Sequence, residues 1–130
     1  MKTLKNKRVI LYRRVSTTEQ KIHGNSLNAQ RSSLRDFCEK KSMVVVKEYQ
    51  EDFSAKNFDR PAFKELLAFA KKNKSKIDFL LISSWDRFSR NAFEALGIIK
   101  EFEDLGIEIN CIDGWIDYRD PNQLIMQLMY

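Results

Sequence analysis

The feature that most constrains the fold is a change of residue period that repeats along the chain. Short apolar or β-branched runs read as strands: Arg8-Val9-Ile10-Leu11-Tyr12, then Met43 to Tyr49, Asp78 to Ser83 and Ile107 to Ile112. Between them, apolar residues recur at helical spacing. Leu27, Leu34, Phe37 and Cys38 form one stripe behind Ser26 as N-cap, and Phe63, Leu66, Leu67 and Ala70 form another behind Pro61. Phe93, Leu96, Ile99 and Phe102 make a third, closed by Gly106. This alternation predicts an α/β domain, and right-handed crossovers make its sheet mostly parallel. In such sheets functional groups collect beyond the carboxyl ends of the strands, here residues 13–20, 51–60 and 84–90.

A length of 130 residues fits one domain and excludes a two-domain enzyme. No apolar run is long enough to cross a membrane, and the basic stretch Met1 to Arg8 lacks the apolar segment of a secretory signal. Cys38 and Cys111, the two cysteines, form no C-x-x-C pair, which argues against a disulfide framework or a cysteine-bound zinc. The expected location is a reducing cytoplasm. The formal net charge of +5 is uneven: residues 1–50 carry +8 and residues 51–130 carry −3. A polyanionic partner is therefore expected at the first part of the chain.

The strand-end loops are rich in arginine. Arg13 and Arg14 follow the first strand, Arg60 stands in the loop after the second, and Arg87 and Arg90 follow the third. Guanidinium groups stay charged at any working pH and grip phosphate oxygens with a planar fork. Ser16 lies two residues beyond Arg14, and the single histidine, His23, is poorly placed for a Ser-His-Asp triad. A serine surrounded by positive charge can still attack phosphorus, with Asp86 as a candidate to move the proton. Carboxylates do not cluster at metal-ligand spacing. These residues thus permit phosphoryl transfer at a serine, with arginines in place of a metal. Cys38 and Cys111 read as core thiols, Trp85 as a packing residue, His23 as solvated, and Lys71 to Lys76 as a basic run at a helix end.

Four ordered motifs resemble the serine recombinases, the resolvase/invertase family. Tyr12-Arg13-Arg14-Val15-Ser16-Thr17 with Gln20 resembles the start of that domain, and Ser26-Leu27-Asn28-Ala29-Gln30 resembles its first helix. Asp59-Arg60-Pro61-Ala62-Phe63 and Asp86-Arg87-Phe88-Ser89-Arg90-Asn91 resemble its two D-R elements. The resemblance implies a three-layer fold with a four- or five-stranded, mostly parallel sheet flanked by helices. It implies Ser16 as the nucleophile that joins the 5′ phosphate of a broken DNA strand, with Arg14, Arg60, Arg87 and Arg90 around the scissile phosphate. Asp86 is implied as the paired acid, and Gln20 and Gln30 as residues that hold the site together. Arg13 and Lys56 are expected to contact DNA. Neither a metal nor a nucleotide cofactor is implied. The implied partner is double-stranded DNA, bound by a homodimer that assembles to a tetramer.

Residues 1–120 are expected to form the catalytic domain and residues 121–130 the start of a long dimerisation helix, with the DNA-binding domain outside this chain. Two departures from the family pattern stand out. Ser84 occupies a position where the family often has lysine, and a longer loop separates Gln20 from Ser26, as in the large serine integrases and conjugative-transposon recombinases. Two rival readings are a phosphate-binding regulatory domain and a non-catalytic DNA-assembly relative. The first needs clustered carboxylates where Arg13 and Arg14 stand. The second is opposed by the intact set of Ser16, Arg14, Asp86, Arg87 and Arg90.

Overall fold

Strand β1 (Arg8–Arg14) leads into helix α1 (Leu27–Lys41), strand β2 (Val44–Glu51) and helix α2 (Pro61–Lys72). A 3-10 turn (Lys74–Lys76) precedes strand β3 (Phe79–Ser84), followed by the short helix α3 (Trp85–Phe88), helix α4 (Ala92–Asp104) and strand β4 (Glu108–Asp113). The computed structural model describes residues 3–14, 27–52, 60–89, 91–120, 122, 123 and 126, with Leu27 known by its backbone alone. Among these residues one sheet forms, in the order β2-β1-β3-β4, with every neighbouring pair parallel.

Strand β1 is covered on both faces, which is why its sequence is continuously apolar rather than alternating. Val9 and Leu11 pack with Leu34, Cys38, Met43 and Leu81 under α1. Ile10 and Tyr12 turn the other way and join Phe63, Leu66, Ile99 and Phe102 of α2 and α4. Phe63 centres that larger core, with its ring 5.2 Å from Tyr12 and 6.1 Å from Phe102. The same alternation carries on past the apolar run. Arg13 therefore points to the α1 face and Arg14 to the α2/α4 face.

The connection from β1 leads outward to β2, whereas the one from β3 leads the opposite way to β4. This reversal leaves a crevice between the carboxyl ends of β1 and β3, the place where a doubly wound sheet can receive a ligand. Three local devices fix the surroundings. The Asn91 side chain caps α4 by accepting from the N–H groups of Phe93 and Glu94. Gly106, at φ 80°, lets Ile107 N–H reach back to the Phe102 carbonyl and close that helix. The Asn110 amide binds both the N–H and the carbonyl of Ile116, at 2.9 Å each, and ties the segment after β4 to the sheet.

The β-branched run read as the second strand forms β2, an edge strand on which Val44 and Val46 are exposed. Trp85, read as a packing residue, is buried; it opens a helical turn, with its indole N–H donating to the Gly114 carbonyl at 2.9 Å. The expected helix from Pro121 falls largely outside the described residues. No helix among the described residues is long and apolar enough to cross a membrane.

Both cysteines are buried, free thiols, as expected. Burial pushes Cys38 up to about 11 and Cys111 well above its usual value. At pH 8 both therefore stay protonated and shielded. Native protein is expected to react with a thiol-specific chromophore at least ten times more slowly than urea-unfolded protein, as stopped-flow absorbance would measure; equal rates would contradict this packing.

Candidate active site

The site begins with a buried polar chain at the end of β1. Tyr12 Oη donates to Glu51 Oε1 at 3.1 Å and accepts from Arg60 Nη1 at 3.1 Å. Arg60 is wholly buried and also donates from Nη2 to the Phe88 carbonyl at 2.9 Å. Glu51 accepts two further bonds, from the N–H groups of Ala62 and Phe63, at 3.0 Å each. Arg60 is the N-cap residue of α2 but makes no side-chain cap bond, so Glu51 caps that helix from the neighbouring strand end. A carboxylate there also suits the helix dipole. Burial is the main cause raising the Tyr12 phenol above its ordinary value, so it remains a neutral donor between the arginine and the glutamate.

A second set of bonds crosses the crevice. The Gln30 side chain, from α1, accepts from Arg14 N–H at 3.1 Å and donates to the Arg14 carbonyl at 2.9 Å. It thus acts as one more rung of the sheet where β1 ends. The Arg14 side chain passes to the other face and donates from Nε to the Arg87 carbonyl at 2.8 Å, with Nη2 3.5 Å from the Asp86 carbonyl. Arg14 and Arg87 are buried, whereas Asp86 is exposed, with its Oδ1 accepting from Ser84 Oγ at 2.6 Å. A cleft of about 260 Å³ opens beside them, lined by Gln30, Ser33, Ser84, Arg87 and Asp113 among others. Three buried guanidinium groups converging on one end of a sheet make an anion-seeking pole.

Residues 9–130 match the family model described as the resolvase N-terminal domain. The chain belongs to that family. Its fold is similar to the N-terminal catalytic domain of TP901-1 integrase, at 27% identity and a TM-score of 0.78, over 95% of this chain and 90% of that one. It is also similar to a resolvase family site-specific recombinase from Streptococcus pneumoniae, at 28% identity and a TM-score of 0.76, over 94% of this chain and 83% of that one. A third likeness is to the C-terminal catalytic domain of ISC1926 TnpA, an IS607-like serine recombinase, at 28% identity and a TM-score of 0.68, over 81% of this chain and 70% of that one. No curated protein sequence matches this chain. The fold is that of a serine recombinase catalytic domain, as the ordered motifs imply.

Within this resolvase domain, Arg14, Gln30, Arg60, Asp86 and Arg87 gather at the carboxyl ends of β1 and β3. Ser16, Gln20, Lys56 and Arg90 lie outside the described residues. Arg13 is close by but on the opposite face, where Nη2 donates to Gln50 at 3.3 Å. Two functional supports escape sequence reasoning. Tyr12 reads as one more apolar strand residue and Glu51 as a charge at a strand end, yet together they hold Arg60. A signal for Glu51 existed in the Arg60-Pro61 pair: a proline-led helix has free N–H groups that seek an acceptor. Among the described residues no group of His, Cys, Asp and Glu could hold a metal ion.

Proposed function

We propose that the chain is the catalytic domain of a site-specific DNA recombinase that breaks and rejoins strands through Ser16. The Ser16 hydroxyl attacks a backbone phosphorus, the phosphorus–O3′ bond breaks, and the 3′ oxygen leaves as a hydroxyl. The 5′ phosphate stays on the serine as a phosphodiester, so the reverse step reseals DNA without an external energy source. Arg14, Arg87 and Arg90 stabilise the charge that gathers on the phosphate oxygens, and Arg60 adds its field from within the protein. Asp86, poised by Ser84, moves the proton between serine and leaving oxygen. Gln30 holds the backbone of Arg14, and Gln20 supports the same loop. No metal takes part in these steps.

The observation that supports this most is the convergence of buried Arg14 and Arg87 at the β1/β3 crevice, with Gln30 locking the backbone two residues before Ser16. In this reading residues 1–120 form the catalytic unit and residues 121–130 begin a dimerisation helix. Homodimers then pair into a tetramer on duplex DNA.

Full-length protein incubated with plasmid carrying its recombination site, then quenched in detergent, is expected to yield DNA linked covalently at its 5′ ends. The yield should be unchanged in excess chelator. Absence of linked DNA, or a strict requirement for magnesium, would overturn the proposal.

A further inference from the structure

On the α1 face of β1, Arg13 is buried to about nine-tenths, with 7% of its surface exposed, and its Nε finds no hydrogen-bond partner among the described residues. A buried guanidinium edge without an acceptor is costly, and an unmatched donor of this kind implies a ligand. Its surroundings suit an anion. Arg31 and Arg35, one helical turn apart on α1, both reach Glu48 of β2, with Arg31 Nε 3.4 Å from Oε1 and Arg35 in closer contact with Oε2. Arg13, Arg31, Arg35 and Glu48 lie close enough that each of the other three perturbs the Arg13 guanidinium. One carboxylate thus serves three guanidinium groups, which leaves a local excess of about two positive charges.

We propose that Arg13, Arg31 and Arg35 form a second anion site, which takes a phosphodiester of the DNA flanking the scissile one. The proposal rests on the recombinase reading. Glu48 is its resident counter-ion and gives way when DNA arrives. The Arg31 and Arg35 pairs are half-exposed, and ion pairs of that kind contribute little to stability, so displacement costs little. A phosphate offers several oxygens to planar forks, where Glu48 has two, and one of them can reach the unfilled Nε of Arg13. Because Arg13 and Arg14 are successive strand residues on opposite faces, a strand engaged by Arg14 at the crevice passes the end of β1 beside Arg13. The two sites then grip adjoining parts of one backbone.

The test uses this 130-residue chain and a fluorescent 20-base-pair duplex, with affinity followed by anisotropy across salt concentrations. The Arg31→Gln/Arg35→Gln double variant is expected to bind about tenfold more weakly at 0.1 M salt, with the slope of log affinity against log salt reduced by about 2. Glu48→Gln should bind several-fold more tightly, because the competing carboxylate is gone. In ¹⁵N spectra of arginine side chains, the Arg13 Nε–H signal should move on addition of duplex and saturate with the same affinity. Unchanged slopes in the double variant, or a Glu48→Gln variant that binds no better, would overturn the proposal. A signal that moves equally for equimolar inorganic phosphate would overturn the assignment to DNA. Failure of the recombinase reading is separable: wild-type protein would form no covalent DNA product, whatever the salt slopes. Failure of the second site alone would leave that product intact.

Discussion

Glu51→Ala is expected to destabilise the domain by about 3–5 kcal/mol, a large part of the stability a domain of this size has. Glu51 is buried and accepts from the Tyr12 hydroxyl and from the N–H groups of Ala62 and Phe63. Truncation leaves two helix N–H groups and a phenol without an acceptor, each costing about 1–3 kcal/mol when sealed from water. It also removes the carboxylate one link away from Arg60, a wholly buried cation bonded to that phenol. Costs in such a linked chain are not additive, so the whole falls below the sum of its parts. Glu51→Gln keeps an acceptor and should cost about 1–2 kcal/mol. Urea unfolding followed by Trp fluorescence measures both. A Glu51→Ala protein within 1 kcal/mol of wild type would show that Arg60 is held by other contacts.

How much of this was legible before the fold was known differs from residue to residue. Strand–helix alternation placed β1, β2, β3 and β4 within about two residues, because β1 and β3 are covered on both faces and carry the corresponding apolar runs. The edge position of β2 was not legible: Val44, Val45 and Val46 favour extended backbone whether or not a neighbour covers them. Arg14, Gln30, Arg60, Asp86 and Arg87 were legible as motif members, and four of the five are buried. Their burial was hidden, because an arginine is normally exposed and sequence carries no record of the carbonyl that receives it. Arg14 finds its acceptors at Asp86 and Arg87, more than 70 positions away. Tyr12 and Glu51 were hidden for the same reason, since their joint role exists only where β1, β2 and the start of α2 meet. Regional charge was misleading as a guide. Arg60 and Arg87 sit in the part of the chain that nets −3, because a site needs a few well-placed cations rather than a positive average.

Ser16→Ala is expected to abolish covalent DNA linkage and to lower strand cleavage by about four orders of magnitude or more, the scale seen when an enzyme loses its nucleophile. The arginines alone cannot replace it. In the proposed mechanism they stabilise charge on a phosphate under attack, but Arg14 is engaged with the Arg87 carbonyl and Arg60 with Tyr12 and Phe88, and a guanidinium is no nucleophile at working pH. Water is a poor substitute, because hydrolysis would free the phosphate and discard the energy that resealing needs. Duplex binding should survive within about twofold, since in the proposed mechanism the arginines make the phosphate contacts. Stability should change by less than about 0.5 kcal/mol, which separates this variant from the folding defect of Glu51→Ala. The readouts are detergent-trapped protein–DNA product and extension of the freed 3′ hydroxyl by a polymerase. Linked product at a wild-type rate would assign the nucleophile elsewhere. Loss of linkage with free nicks of unchanged yield would turn the site into a hydrolase, and the serine into a residue that merely orients water.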